Sequence, residues 1–220
     1  MDAAATTLSA RDKKLFDTAY YLAIFTIVYN LAEGLIATYF GYSDETLALF
    51  GFGVDSFIEM ISGIGVVHMI IRIRNNPGTK RDQFEITALK ITGYSFYALT
   101  AGLIIGAVVN IINGNKPETT FWGVIISAVS IIVMLALIYG KIRTGNALNS
   151  KPILADANCT KVCIYMSVIL LISSFIYEIT GFAYADVIGT FGLAYFSFSE
   201  GKECFEKSSN LVLTCSCGHD

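Results

Sequence analysis

Two pairs of side chains in this 220-residue chain could share a metal ion. One is Asp55 with Glu59, the other Cys159 with Cys163. Each pair is spaced i, i+4, which puts both members on one helix face, one turn apart. The carboxylates follow Leu47-Ala48-Leu49-Phe50-Gly51-Phe52-Gly53-Val54, a stretch with no cation to neutralise them. Two carboxylates this close cannot both stay ionised cheaply in a dry interior. They share protons, or a cation arrives. The plainer alternative is a pair of protonated carboxyls hydrogen-bonded to neighbouring helices. Two carboxylates with two thiolates suit tetrahedral coordination of Zn²⁺ or a softer ion. A Cys159–Cys163 disulfide is disfavoured, because i, i+4 positions on a helix lie near the upper limit of bridging geometry.

The elements that carry these pairs are apolar enough to sit in a bilayer. Apolar residues make up 54% of the chain and charged residues 15%, against about 25% charged in soluble domains. Mean hydropathy is +0.60. This composition excludes a soluble globule, a disordered chain and a disulfide-rich secreted domain. A net charge of −3 leaves no electrostatic footprint for nucleic acid. Six runs approach the ~20 residues of a spanning helix: Tyr20–Phe40, Leu47–Ile71, Ile86–Ile112, Phe121–Gly140, Ile153–Tyr177 and Tyr184–Glu200, the last being the shortest. Turn residues such as Asn75-Asn76-Pro77-Gly78 join them closely, so sequential neighbours run antiparallel.

Lysine and arginine fix the orientation. Twelve of the 15 flank alternate ends of the runs, Lys116 alone lies on the opposite side, and Lys90 and Lys161 fall within runs. Positive flanks stay cytoplasmic, which predicts both termini there. The expected organisation is a cytoplasmic N-terminal segment at 1–15, a six-helix transmembrane domain at 16–207 and a short cytoplasmic tail at 208–220. The polar N-terminus does not read as a cleavable signal.

In this topology the second and fifth helices run in opposite directions. Packed side by side, they set Asp55 opposite Cys163 and Glu59 opposite Cys159. Depth argues against that register. Glu59 lies 13 residues from Arg72, while Cys159 lies eight from Lys151, a mismatch of about 7–8 Å at the helical rise. Tilt or a protruding second helix has to absorb it.

Secondary candidates surround the main four. Asn30 and Glu33 on the first helix either line the same cavity or form structural hydrogen bonds. Asp156, one turn below Cys159, could guide ions inward. Asp186 opens the sixth helix and reads first as its cap. Glu85 and Lys90 read as an interfacial ion pair. Lys161 reads as snorkelling to the interface, and His68 is set aside as a ligand. In the tail, Cys215, Cys217 and His219 form a Cys-x-Cys followed by His, a plausible soft-metal hook where thiols stay reduced.

Several of these stretches resemble the cation diffusion facilitator transporters. Thr46-Leu47-Ala48-Leu49, then Val54-Asp55-Ser56-Phe57-Ile58-Glu59, resembles that family's second helix, which carries Ser-x-Ala-Leu and a His/Asp-x-x-x-Asp pair. Ala155-Asp156-Ala157-Asn158-Cys159-Thr160-Lys161-Val162-Cys163 resembles its fifth helix, Ala-Asp-Ala-x-His-x-x-x-Asp. Ala185-Asp186 resembles its Ala-Asp-Pro, with Val187 in place of the proline, and Asn30 and Gly34 resemble its first helix. The resemblance spans about residues 15–207. It implies an all-α integral membrane fold with six transmembrane helices, in the cell's inner or plasma membrane. It further implies an efflux carrier, usually a Zn²⁺/H⁺ antiporter and commonly a homodimer, rather than an enzyme. This sequence departs from the pattern at Cys159, Cys163 and Glu59, which shifts the expected cargo towards thiophilic ions such as Zn²⁺, Cd²⁺ or Hg²⁺. The family's usual cytoplasmic C-terminal domain has no counterpart in these residues.

The expected mechanism is alternating access around a site at mid-membrane, with protons exchanged for a divalent metal. Two rivals remain open. A membrane thiol redox enzyme would use Cys159 and Cys163, although such enzymes usually hold closer cysteines at a helix N-terminus. A metal sensor would bind without transporting.

Overall fold

The computed structural model describes residues 10–76, 82–182 and 184–209. Cys215, Cys217 and His219 lie outside the described residues. Six helices follow one another in antiparallel order: α1 (Ala10–Ser43), α2 (Leu47–Asn75), α3 (Gln83–Asn113), α4 (Phe121–Ala147), α5 (Lys151–Thr180) and α6 (Ala185–Ser209). Each encloses or nearly encloses one of the six apolar runs. The overrun is mostly at the ends flanked by lysine and arginine: α1 begins well before Tyr20, α4 continues past Gly140, and α6 continues past Glu200. Apolar content marks the part of a helix that lies in lipid, whereas the helix itself continues into polar surroundings.

Five helices, α1 to α5, are long and apolar enough to cross a bilayer. At 25 residues, α6 is roughly 37 Å long and has the length to span. Its apolarity is diluted by Glu200, Lys202, Glu203, Glu206 and Lys207. Two of these, Glu200 and Lys207, are buried in the bundle.

The closest packing is between α1 and α2, α3 and α6, and α4 and α5, while α2 also touches α3, α5 and α6. Small residues allow the α1–α2 approach. A side chain on Gly53 would run into the backbone of Ala37 and Thr38, so that crossing requires glycine. The main apolar core joins Leu49 and Phe52 of α2 to Leu103, Met166, Leu170 and Leu193, all nearly inaccessible. The large apolar side chains left outside, among them Ile105, Ile132, Leu135, Ile172 and Tyr195, face outward as a lipid-facing surface requires. Gly102 and Gly106 on α3 form a GxxxG, a spacing that permits close helix packing; Gly106 packs on Leu47 and Gly102 meets open space.

Asp186 is a cap, but of a different helix from the expected one. Its two carboxylate oxygens accept from the backbone N–H groups of Leu47 (3.1 Å) and Ala48 (3.2 Å), the first residues of α2. The residue preceding α2, Thr46, does not cap it through its side chain. Its hydroxyl donates instead to the Thr119 carbonyl at 3.1 Å. Asp186→Ala is therefore expected to cost about 0.5–2 kcal/mol, the usual range for a lost N-cap. The thermal midpoint of the detergent-solubilised protein reads this, and Asp186→Asn should recover part of it.

The outer ends are clasped by polar contacts between connections. Glu118 N–H donates to the Asp44 carbonyl at 3.0 Å. Thr120 N–H donates to Glu178 at 3.0 Å, and the Thr120 hydroxyl to the Ser174 carbonyl at 2.7 Å. Tyr177 OH donates to the Pro117 carbonyl. Burial, with Glu118 and Glu178 nearby, pushes the Asp44 carboxyl above its ordinary range. A raised pKa means the clasped state holds its proton more tightly than an opened one. Asp44 thus favours the clasped state most in acid, and this contribution is lost as pH rises through its pKa. Hydrogen exchange at 44–46 and 117–120, corrected for intrinsic rates, should show this contribution as a pH-dependent difference between the parent protein and Asp44→Asn.

Candidate metal site

Glu59 on α2 is the point where three helices meet. Its Oε1 accepts from Cys163 Sγ on α5, and its Oε2 accepts from Asn30 Nδ2 on α1 at 3.2 Å. The register between α2 and α5 therefore differs by one turn from side-by-side pairing of the motifs. Glu59 faces Cys163, not Cys159. The depth arithmetic explains why: Cys163 lies 12 residues from Lys151, close to the 13 between Glu59 and Arg72. The helices pack at equal depth, and the motif alignment gives way.

The other two members sit on either side of this contact. Cys159 lies one turn towards the N-terminus of α5, where its sulfur accepts from Lys207 Nζ at 2.8 Å and donates to the Ala155 carbonyl at 3.3 Å. Asp55 lies one turn towards the N-terminus of α2. It is 2% exposed, and its Oδ1 has no hydrogen-bond partner among the described residues. Asn30 Oδ1 is in the same condition. Buried acceptors without donors are uncommon and costly, so two beside Glu59 mark a place where positive charge would be welcome. Asp55 interacts electrostatically with Glu59, Glu200 and Glu33.

A cavity of about 110 Å³ leads to this point. Asn30, Glu59 and Cys163 line its deep end, and Met69, Pro152 and Lys207 line it near the lysine- and arginine-flanked ends of α2, α5 and α6. Cys159 and Asp156 line it between the two; Asp55 is not part of its wall. The arrangement is therefore open towards the positively flanked side and clasped on the other. Asp156 carries a partner that its position in sequence does not reveal. Lys141 Nζ lies 3.0 Å from Asp156 Oδ2 and donates to Thr160 Oγ1 at 2.9 Å.

Glu33 does not join the cavity. It is buried, and it accepts from Tyr29 OH at 2.9 Å and from Ser56 Oγ at 3.0 Å. Of the two readings open for Asn30 and Glu33, Asn30 takes the cavity and Glu33 the structural network. Ser56 adjoins Asp55, so this network braces α2 beside the acidic pair.

Three charged cavity residues are not among the sequence candidates: Glu200, Lys141 and Lys207. Position in sequence reads both lysines as water-facing flanks, yet they are 3% and 8% exposed. Glu200 closes the sixth apolar run and is followed at i+4 by buried Cys204, which also lines the cavity. That acid–thiol pair repeats the spacing of the two chosen pairs and was available as a signal.

A second cluster lies outside the bundle interior. His68, Asp82 and Glu85 bring one ligand atom each within 4.8 Å of one another, an arrangement that could hold a metal ion. His68 is 3.5 Å from Asp82 and 3.6 Å from Glu85, so it is better placed for ligation than its sequence position suggests. Both Glu85 oxygens also accept from Arg72, which makes Arg72 its ion-pair partner where Lys90 was expected. Lys90 and Lys161 are exposed.

Comparison with known proteins agrees with this architecture. Residues 21–212 match the family model of the cation efflux transmembrane domain. The chain is also similar to the manganese efflux system protein MneP of Bacillus subtilis (strain 168), at 23% identity over 204 residues, which cover 87% of this chain and 68% of that protein.

Proposed function

Because this chain belongs to the cation efflux family, whose members are multi-pass membrane transporters and not enzymes, we propose that it exports a divalent transition-metal ion by proton-coupled alternating access. The ion enters the cytoplasm-facing cavity past Asp156 and is bound by Glu59, Cys163 and Cys159, with Asp55 and Asn30 Oδ1 supplying oxygen from the deep side. The observation that carries this reading is the meeting of Glu59, Cys163 and Asn30 from three helices at the closed end of that cavity. Helices that meet at one ion can rearrange around it.

Proton exchange follows from the contact itself. Cys163 donates a proton towards Glu59, and a metal bound there takes the place of that proton, because thiolate and carboxylate ligate in their deprotonated forms. Opening to the outside lets an external proton reclaim the contact and release the metal. A homodimer is also proposed, on the resemblance to the family; the open surface at Gly102 supports it, since small residues admit a second helix.

Two identities for the cargo are favoured by different observations. The thiol at Cys163 favours Zn²⁺ or Cd²⁺, because soft sulfur selects such ions. The similarity to a manganese efflux protein favours Mn²⁺, and the oxygen donors Asp55, Glu59 and Asn30 suit that harder ion. We favour the thiophilic ions. Flux of Zn²⁺, Cd²⁺ and Mn²⁺ into proteoliposomes, with internal pH followed in parallel, tests the choice. Zn²⁺ and Cd²⁺ should move with opposing proton flux, and Cys163→Ser should reduce their transport while sparing Mn²⁺. Preferred Mn²⁺ transport in the parent protein, insensitive to Cys163→Ser, reverses the assignment.

A further inference from the structure

Lys207 lies in an unusual place for a lysine at the end of a membrane bundle. It is 8% exposed, it lines the cavity that leads to Glu59, and its Nζ is 2.8 Å from Cys159 Sγ. The same ammonium is 2.7 Å from Glu203 Oε1, one turn earlier on α6. One side chain is thus shared between a sulfur inside the cavity and a carboxylate that is 29% exposed. The cavity's other buried lysine, Lys141, has no such choice of surroundings: its partners Asp156 and Thr160 are both on α5.

We infer that Lys207 is a resident cation at Cys159, its ammonium donating to the sulfur until a divalent ion displaces it and releases the thiol proton into the cavity, and that it thereby sets the affinity and charge selectivity of the cavity. The inference rests on the proposed transport reading. An arriving metal ion and the ammonium cannot both hold the same sulfur lone pairs. Displacement is inexpensive because Glu203 remains as a partner, so the ammonium moves aside without becoming an unpaired buried charge. A monovalent ion replaces one positive charge with another and gains nothing. A divalent ion brings one charge more and can also form a bond to sulfur. Lys207 is a positioning residue in this scheme, acting on the cargo through Cys159.

The test is a Cd²⁺ titration of the purified full chain, followed by the ultraviolet thiolate-to-cadmium charge-transfer absorbance. Lys207→Met removes the competitor and should lower the Cd²⁺ Kd about tenfold, the equivalent of one charge-assisted hydrogen bond. Lys207→Arg keeps the charge and should keep the Kd of the parent protein. So should Lys202→Met, since Lys202 is an exposed lysine of the same helix paired with Glu206. In a Cys159→Ser background, Lys207→Met should leave Kd where Cys159→Ser alone sets it. An unchanged or weaker Kd in Lys207→Met overturns the inference, as does an equal shift in both backgrounds. Failure of the underlying site looks different: Cd²⁺ binding indifferent to both Glu59→Ala and Cys163→Ser removes the site and the inference together.

Discussion

Glu59→Ala is expected to lower metal flux in proteoliposomes by more than 100-fold, while the protein still purifies as a folded helical bundle. Glu59 is the only described side chain that receives hydrogen bonds from both α1 and α5 at the end of the cavity. Losing an outer-shell partner of a metal ligand usually costs roughly 10–100-fold in affinity or activity, and losing the ligand itself exceeds that. Asn30→Ala supplies the comparison. It removes a partner of Glu59 together with one neutral oxygen donor, a smaller loss than that of the anionic ligand, and should fall inside that range, with the larger effect on apparent affinity. Folding should survive in both variants, since Glu59→Ala removes a buried carboxyl together with its desolvation cost. Initial rates of Zn²⁺ and Cd²⁺ uptake, normalised to reconstituted protein, check the order. Equal rates for Glu59→Ala and the parent protein would falsify the site.

The second large effect concerns stability. Lys141 and Asp156 form a buried ion pair, with side chains 4% and 14% exposed. Removing one partner of such a pair leaves a charge without compensation and typically costs about 3–5 kcal/mol. Lys141→Ala should therefore unfold the detergent-solubilised protein at a markedly lower temperature. Lys141→Met combined with Asp156→Asn removes both charges and should restore most of the loss, because replacing a whole buried pair is often close to neutral. The double variant also isolates any contribution of Asp156 to ion entry: if its flux remains low while its thermal midpoint recovers, Asp156 serves transport beyond its structural pairing.

Much of this could be read from residue order. The i, i+4 spacing of Asp55/Glu59 and Cys159/Cys163, inside runs that had to be helices, singles out α2 and α5. The alternation of lysine and arginine orders the helices across the membrane. What escaped was tertiary. The one-turn offset that joins Glu59 to Cys163 follows from equal depth in the bilayer, and the counting from Arg72 and Lys151 contained it, but aligning the motifs concealed it. Lys141 and Lys207 obey the flank rule by position and break it by direction, because the helices continue past the apolar runs and turn those side chains inward. Asp186 caps α2 instead of α6 because a cap needs only an unpaired helix N-terminus within reach, and that terminus is 139 residues away in the chain. Local sequence carries no trace of such a neighbour.

The clasp joining Asp44, Thr120, Tyr177 and Glu178 to their backbone partners has a directional consequence. On the proposed transport reading, Glu59 and Cys163 are reached through the cavity from the lysine-rich side while it holds, and metal beyond the membrane meets the clasped ends instead. Such a carrier would behave as a rectifier at rest. Back-leak of exported metal has to wait for several hydrogen bonds to break together, whereas loading from within breaks none of them.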